Sequence, residues 1–224
     1  VDSLKFPYKK ENSMLNNYWL TEILNFYSQS KLDFFGLNYF VIEFLKNKLS
    51  SNLYYHGVHH TEDVVQSLDE ICFHEKVNPE EYFILKTAVL FHDMGYIDQY
   101  NDNEIFGVKY AEKILPKYNF SKSQIKKISN LILATKVPQN PKNKLEKIIC
   151  DADLDYLGRV DFLEISDSFF KELKERKFVN NQNHWDELQV EFFEEHTYFT
   201  DFSKNNRNPM KQKNLKFIKE RLNK

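Results

Sequence analysis

Glycine and proline, the strongest breakers of helices, are rare in this chain and, Gly107 apart, fall between its periodic segments rather than inside them. There are 5 Gly and 6 Pro in 224 residues. Pro7, Pro79, Pro116, Pro138, Pro141 and Pro209 read as punctuation. Between them apolar residues recur at i, i+3, i+4 and i+7, the spacing of one face of an α-helix. Leu20, Ile23, Leu24 and Tyr27 make one such stripe; Phe40, Ile42, Phe44 and Leu45 make a second, more crowded one. Further helical patterns cover residues 60–75, 80–93, 103–115, 121–135, 144–157, 160–177 and 183–196. Asn78 before Pro79, and Ser121 three residues ahead of Gln124, carry the residue types that cap helix starts. No alternating strand pattern, hairpin dipeptide or internal repeat breaks this regime. The expected fold is all-α, a multi-helix bundle forming one domain over 31–224, preceded by an N-terminal extension and first helix at 1–30.

Composition narrows the function. With 20 Phe and 13 Tyr the core is expected to be rich in aromatics. A net charge of -2 argues against a chain that coats nucleic acid. The lysines Lys211, Lys213, Lys216 and Lys219 read as the solvated face of a last helix. Cys72 and Cys150, each in an apolar run, read as buried, reduced thiols, which fits a cytoplasmic protein. No apolar run is long enough to span a membrane, and Val1–Lys5 lacks a signal-peptide core. Trp185, Leu188, Val190, Phe192 and Phe193, then Thr197–Thr200, read as a helix and a loop packing back on the domain, with Trp185 and the paired Phe192 and Phe193 as core or as a homodimer face.

Three segments place hard ligands in apolar surroundings: Tyr55–Val64 with His56, His59 and His60; Leu90–Tyr96 with His92 and Asp93; and Cys150–Asp155 with Asp151 and Asp153. Ala88–Phe91 read as buried, so His92 and Asp93 after them are costly unless paired or metal-bound. Adjacent helical residues lie ~100° apart, so both can reach one cleft, and Gly95 is expected to end the helix. Alone, a terminal His-Asp facing solvent is the plainer reading. Asp151 and Asp153 interrupt a run that otherwise reads as core; Asp151 as a cap and Asp153 as exposed is the competing reading. Neutral imidazole is a good ligand for a divalent metal. His56 and His60 share a face if that stretch is helical, whereas His59 points elsewhere and reads as a non-ligand. The three oddities in one chain favour a site over three coincidences.

The order His, His-Asp, Asp resembles the signature of HD-domain phosphohydrolases. Tyr55-His56 followed by His60-Thr61-Glu62-Asp63-Val64 is similar to a segment of cyclic-nucleotide phosphodiesterases, as is Ala152-Asp153-Leu154. Phe91–Tyr96, Asp102-Asn103-Glu104, Leu133–Lys136 and Asp151–Gly158 resemble the bacterial predicted metal-dependent HD phosphohydrolases, a resemblance covering roughly residues 50–220. It implies His60, His92, Asp93 and Asp153 as metal ligands, Asp151 competing for the last place, and His56 as the proton donor to the leaving oxygen. Asp93 or Asp153 would orient the attacking water. Glu104, Lys136 and Tyr96 are the candidates for substrate contact, with Phe91 as core or pocket wall. Many relatives carry further histidines after the His-Asp pair; here none occurs between His92 and His184, which favours one metal, or a second held by carboxylate and water. The donor set suits Mn, Mg, Fe, Co or Zn. The expected substrate is a small phosphoester, a cyclic nucleotide or a nucleoside monophosphate; no glycine-rich phosphate loop is present. The alternative is a ligand-binding sensor domain that has lost turnover.

Overall fold

The computed structural model describes the backbone of residues 13–223 and side chains from residue 17 onward. Residues 1–12 of the expected N-terminal extension, with Pro7, lie outside the described residues. The rest is helical throughout: α1 (Ser13–Gln29), α2 (Phe34–Lys48), α3 (Val58–His74), α4 (Pro79–His92), α5 (Asn103–Ile114), α6 (Lys122–Ala134), α7 (Lys144–Asp153), α8 (Phe162–Glu175), α9 (Gln182–Glu195), α10 (Asp201–Asn206) and α11 (Asn208–Leu222). Short 3-10 turns follow α4, α5 and α7. Among the described residues there is no strand, and no helix is long and apolar enough to cross a membrane. The expected helices are present, and the expected caps form: Asn78 accepts from the Glu81 N–H, and Ser121 with Gln124 closes a capping box.

α4 is the axis of the fold. Every residue from Tyr82 to His92 is buried, because α1, α2, α3, α5, α6 and α7 all pack on it. A helix apolar on every side can exist only in such a position. Lys86, inside this run, is 6% exposed and is neutralised by Asp69, with both carboxylate oxygens at 3.0 Å. These seven helices enclose a large core that includes Leu37, Leu68, Leu85, Ile128 and Ile149. α1 joins it through Trp19, whose indole N–H donates to the Val77 carbonyl at 2.9 Å. A second, smaller core gathers Tyr55, Leu157, Phe162, Phe193, Leu215 and Ile218 from α8, α9, α11 and the loops that meet them. Both cysteines are buried and free.

Two expectations about local structure are corrected. Gly95 does not terminate α4: the helix stops at His92, and Gly95 is buried in the 3-10 turn that follows. Its value is the missing side chain, since a Cβ there would lie 1.8 Å from the Asn103 carbonyl oxygen. The start of α5 can therefore press directly against the end of α4.

Lys211 is not on the solvated face of the last helix. It is 2% exposed, and its ammonium donates to the His196 carbonyl; Lys213, Lys216 and Lys219 do face solvent. Burial pulls the Lys211 pKa down to about 8. A depressed lysine pKa means the unfolded chain binds more protons between about 8 and 10.5, so stability rises with pH across that window. Lys211→Met is expected to raise stability at neutral pH by ~1 kcal/mol, since a buried charge is exchanged for an apolar group of similar length. Urea unfolding at pH 7 and pH 9.5 checks both statements: the parent should gain on the way up and the variant should not.

Candidate metal centre and active-site cavity

α3, α4 and α7 leave the large core at adjacent points, and their ends carry the ligand candidates together. His60 lies in the first turn of α3, His92 is the last residue of α4, Asp93 is its C-cap, and Asp153 is the last residue of α7. His60 Nε2 and His92 Nε2 are 3.4 Å apart. Asp93 Oδ2 lies 3.5 Å from the first and 3.3 Å from the second. Asp153 Oδ1 lies 3.3 Å and 3.5 Å from the same two nitrogens. A triangle of donors with such sides has a centre ~2 Å from each corner, the bond length of a divalent ion to nitrogen or oxygen.

The surroundings prepare these atoms for a cation. His92 Nδ1 donates to the Val89 carbonyl at 2.7 Å, which directs the other nitrogen and its lone pair inward. Asn103 donates to Asp93 Oδ1 at 3.2 Å, and Gln139 donates to Asp153 Oδ2 at 3.3 Å. Asp93 Oδ2 is buried and accepts no hydrogen bond. An orphaned carboxylate oxygen beside two inward imidazoles is an unfavourable arrangement until a positive charge joins it. Burial opposes charge on His92, but Asp93 and Asp153 outweigh it and lift the His92 pKa well above the ordinary imidazole range. The residues fit a divalent ion, and His60, His92 and Asp93 alone already bring three donor atoms within 4.8 Å of one another.

The structure separates the two aspartates of the third segment. Asp151 turns away and accepts from the Phe199 N–H at 2.9 Å, the Thr200 N–H at 2.8 Å and the Thr200 hydroxyl at 2.7 Å, tying down the loop before α10. Burial raises its pKa despite those bonds. Asp151→Ala is expected to cost about 2–3 kcal/mol in urea unfolding, because it leaves buried donors without an acceptor, while the donor cluster keeps its metal. The thermal shift produced by added Mn(II) in that variant checks the second half.

His56 reaches the cavity, though not by helical spacing with His60: α3 begins only at Val58, with Gly57 as its cap. The side chain that places it is Glu172 of α8, which the sequence analysis did not single out. Glu172 is 0% exposed at its side chain. One oxygen receives the His56 Nδ1–H at 2.5 Å and the Tyr100 hydroxyl at 2.8 Å; the other receives the Tyr55 and His56 N–H groups at 2.8 and 3.1 Å. Burial alone would raise the carboxyl, but the His56 hydrogen bond and charge, aided by these donors, hold it down at about 2. Tyr96 stacks on the His56 ring with centroids 4.2 Å apart. The signal for Glu172 was its register: Phe162, Ile165, Phe169 and Glu172 follow the buried stripe of α8, so the carboxylate stands where an apolar residue is expected.

These groups border a cavity of about 550 Å³ that includes His56, His60, Asp93, Tyr96, Glu104, Lys136 and Asp153. Glu104 Oε2 is buried without a partner, and burial, with the charges of Asp93 and Asp153, raises its pKa. Lys136 is half exposed and ion-paired to Asp102 at the rim. Phe91 is core, 0% exposed, and does not border the cavity. His59 faces outward, away from the cluster, as expected of a non-ligand.

Neither a protein-family model nor a curated protein matches the sequence. Among solved structures, the chain is similar to a predicted HD-superfamily hydrolase from an uncultured Thermotogales bacterium, with a TM-score of 0.52 and 20% identity over 82% of this chain and 87% of that one. The likeness is one of fold: the two chains share an all-α architecture. At that identity the likeness speaks for the HD architecture, and the chemistry of this chain is argued from its own residues.

Proposed function

We propose that the protein is a metal-dependent phosphohydrolase acting on a small phosphoester. The observation that carries this reading is the convergence of His60, His92, Asp93 and Asp153 on one point, with a bare carboxylate oxygen, beside a histidine held in a cavity. The four side chains would hold one divalent ion, Mn, Mg, Fe, Co or Zn. Such an ion polarises a phosphoryl oxygen and makes a water acidic enough to act as nucleophile near neutral pH. The chain supplies the rest. Asp93 or Asp153 would orient that water and accept its proton. His56, its Nδ1 proton fixed on Glu172, turns Nε2 toward the cavity and donates a proton to the departing oxygen. Tyr96 fixes the plane of that ring, and Glu104 and Lys136 border the space for the substrate.

The test is turnover of a nitrophenyl phosphomonoester, a bis-nitrophenyl phosphodiester, and cyclic and linear nucleotides, with Mn(II) or Mg(II) added and then removed by chelator. Metal-dependent release of alcohol or phosphate is the expected result. One equivalent of metal with no turnover of any ester would instead indicate a sensor domain, and no bound metal after reconstitution would end the proposal.

A further inference from the structure

The cavity beside the donor cluster is chemically lopsided. We infer that it takes a phosphoester in which one phosphate is joined to a large apolar body, and that it discriminates against polyphosphates. This inference rests on the phosphohydrolase reading above and narrows its substrate class.

An aromatic wall runs from the cluster to α9. The Tyr55 ring lies 4.6 Å from that of His60, Phe169 stacks 4.4 Å from Tyr55, and Trp185 lies 5.3 Å from Phe169. Leu188 and Phe192 extend the wall. On α9 its polar atoms are already used. The Trp185 N–H donates to Ser166 Oγ at 3.2 Å. Gln189 accepts from the Ser166 hydroxyl at 2.6 Å and donates to Asp186 at 3.2 Å. The Tyr55 and Tyr156 rings pack together with centroids 5.5 Å apart. Apart from the Tyr55 and Tyr156 hydroxyls, this side offers ring faces and methyl groups, which bury an apolar body but read a base edge or a sugar hydroxyl poorly.

Charge sets the other limit. Among the residues bordering the cavity, Lys136 is the one lysine or arginine, and Asp102 pairs with it. Asp93, Glu104 and Asp153 are carboxylates. Sites that hold diphosphates and triphosphates line them with arginine and lysine. Here a single divalent ion would match a single phosphate, and each further phosphate would face carboxylates.

Isothermal titration of the Mn(II)-saturated protein with 1-naphthyl phosphate, glycerol 2-phosphate and ATP tests this. Naphthyl phosphate is expected to bind at least ~10-fold more tightly than glycerol 2-phosphate, from the apolar area it buries, and ATP no more tightly than glycerol 2-phosphate. In Leu188→Lys, at a position 38% exposed and so tolerant of the change, the naphthyl preference should collapse toward one. Equal affinity for the two monoesters, or ATP binding tightest, overturns the inference and leaves the phosphohydrolase reading standing. Failure of all three to bind overturns both.

Discussion

His92→Ala is expected to abolish metal binding and to lower turnover by roughly 10³-fold or more, since the reaction would lose both its Lewis acid and its water activation. His92 is 1% exposed and is one of two imidazoles that hold the Asp93 and Asp153 oxygens within 3.5 Å. Without it one imidazole and two carboxylates remain, with the Asp93 and Asp153 oxygens 3.5 and 3.3 Å from His60 Nε2, one ligand short of the set. Two readouts check the result separately. Elemental analysis should fall from about one equivalent to near zero. Added Mn(II) should raise the melting temperature of the parent, because binding to the folded state alone stabilises it by mass action, and should leave the variant unmoved. A variant that keeps both its metal and its activity would place the centre elsewhere.

Glu172→Gln carries the second large effect. Glu172 acts through His56 and is a positioning residue. A glutamine would keep the volume, lose the charge and present an N–H₂ where the Tyr100 hydroxyl or His56 Nδ1–H now donates. The expected outcome is a fall in kcat of about 10–10²-fold with KM and metal content little changed, less than the ~10²–10⁴-fold lost when a proton donor is removed outright, together with an altered pH profile. Glu172→Asp should recover part of it. Stability gives an independent check. The carboxyl titrates at about 2 in the folded state against 4.5 ordinarily. Its contribution is therefore present above about pH 4.5 and is lost as the pH falls toward 2. That depression corresponds to roughly 3 kcal/mol at neutral pH, so acid unfolding of the parent should be steeper in this window than that of Glu172→Gln. Identical kcat in the two proteins would remove Glu172 from the mechanism.

The readable part of this protein was local. Helices, caps and the three ligand-bearing segments stand out because their signals lie within a few residues: a polar side chain where the apolar spacing predicts core, or Asn-Pro ahead of a helix. His92, Asp93 and Asp153 were visible for that reason. What stayed hidden depends on partners far away in the chain. Glu172 and His56 are separated by 116 positions. The buried state of Lys211 depends on the His196 carbonyl in the turn after α9. Asp151 and Asp153 look alike until Thr200 claims one of them. Gly95 reads as a helix stop, although its real constraint is the Asn103 backbone pressed against it.

The two cores divide the labour. The proposed metal ligands project from α3, α4 and α7, which are rooted in the large core. The wall that would meet the substrate body, and the glutamate that aims His56, come from α8 and α9, which belong to the small one. Substitutions along the inner faces of α8 and α9 can therefore retarget the cavity to a different alcohol without disturbing the residues proposed to hold the ion. The small core is in effect an exchangeable cassette, and it is where laboratory selection for a new substrate should begin.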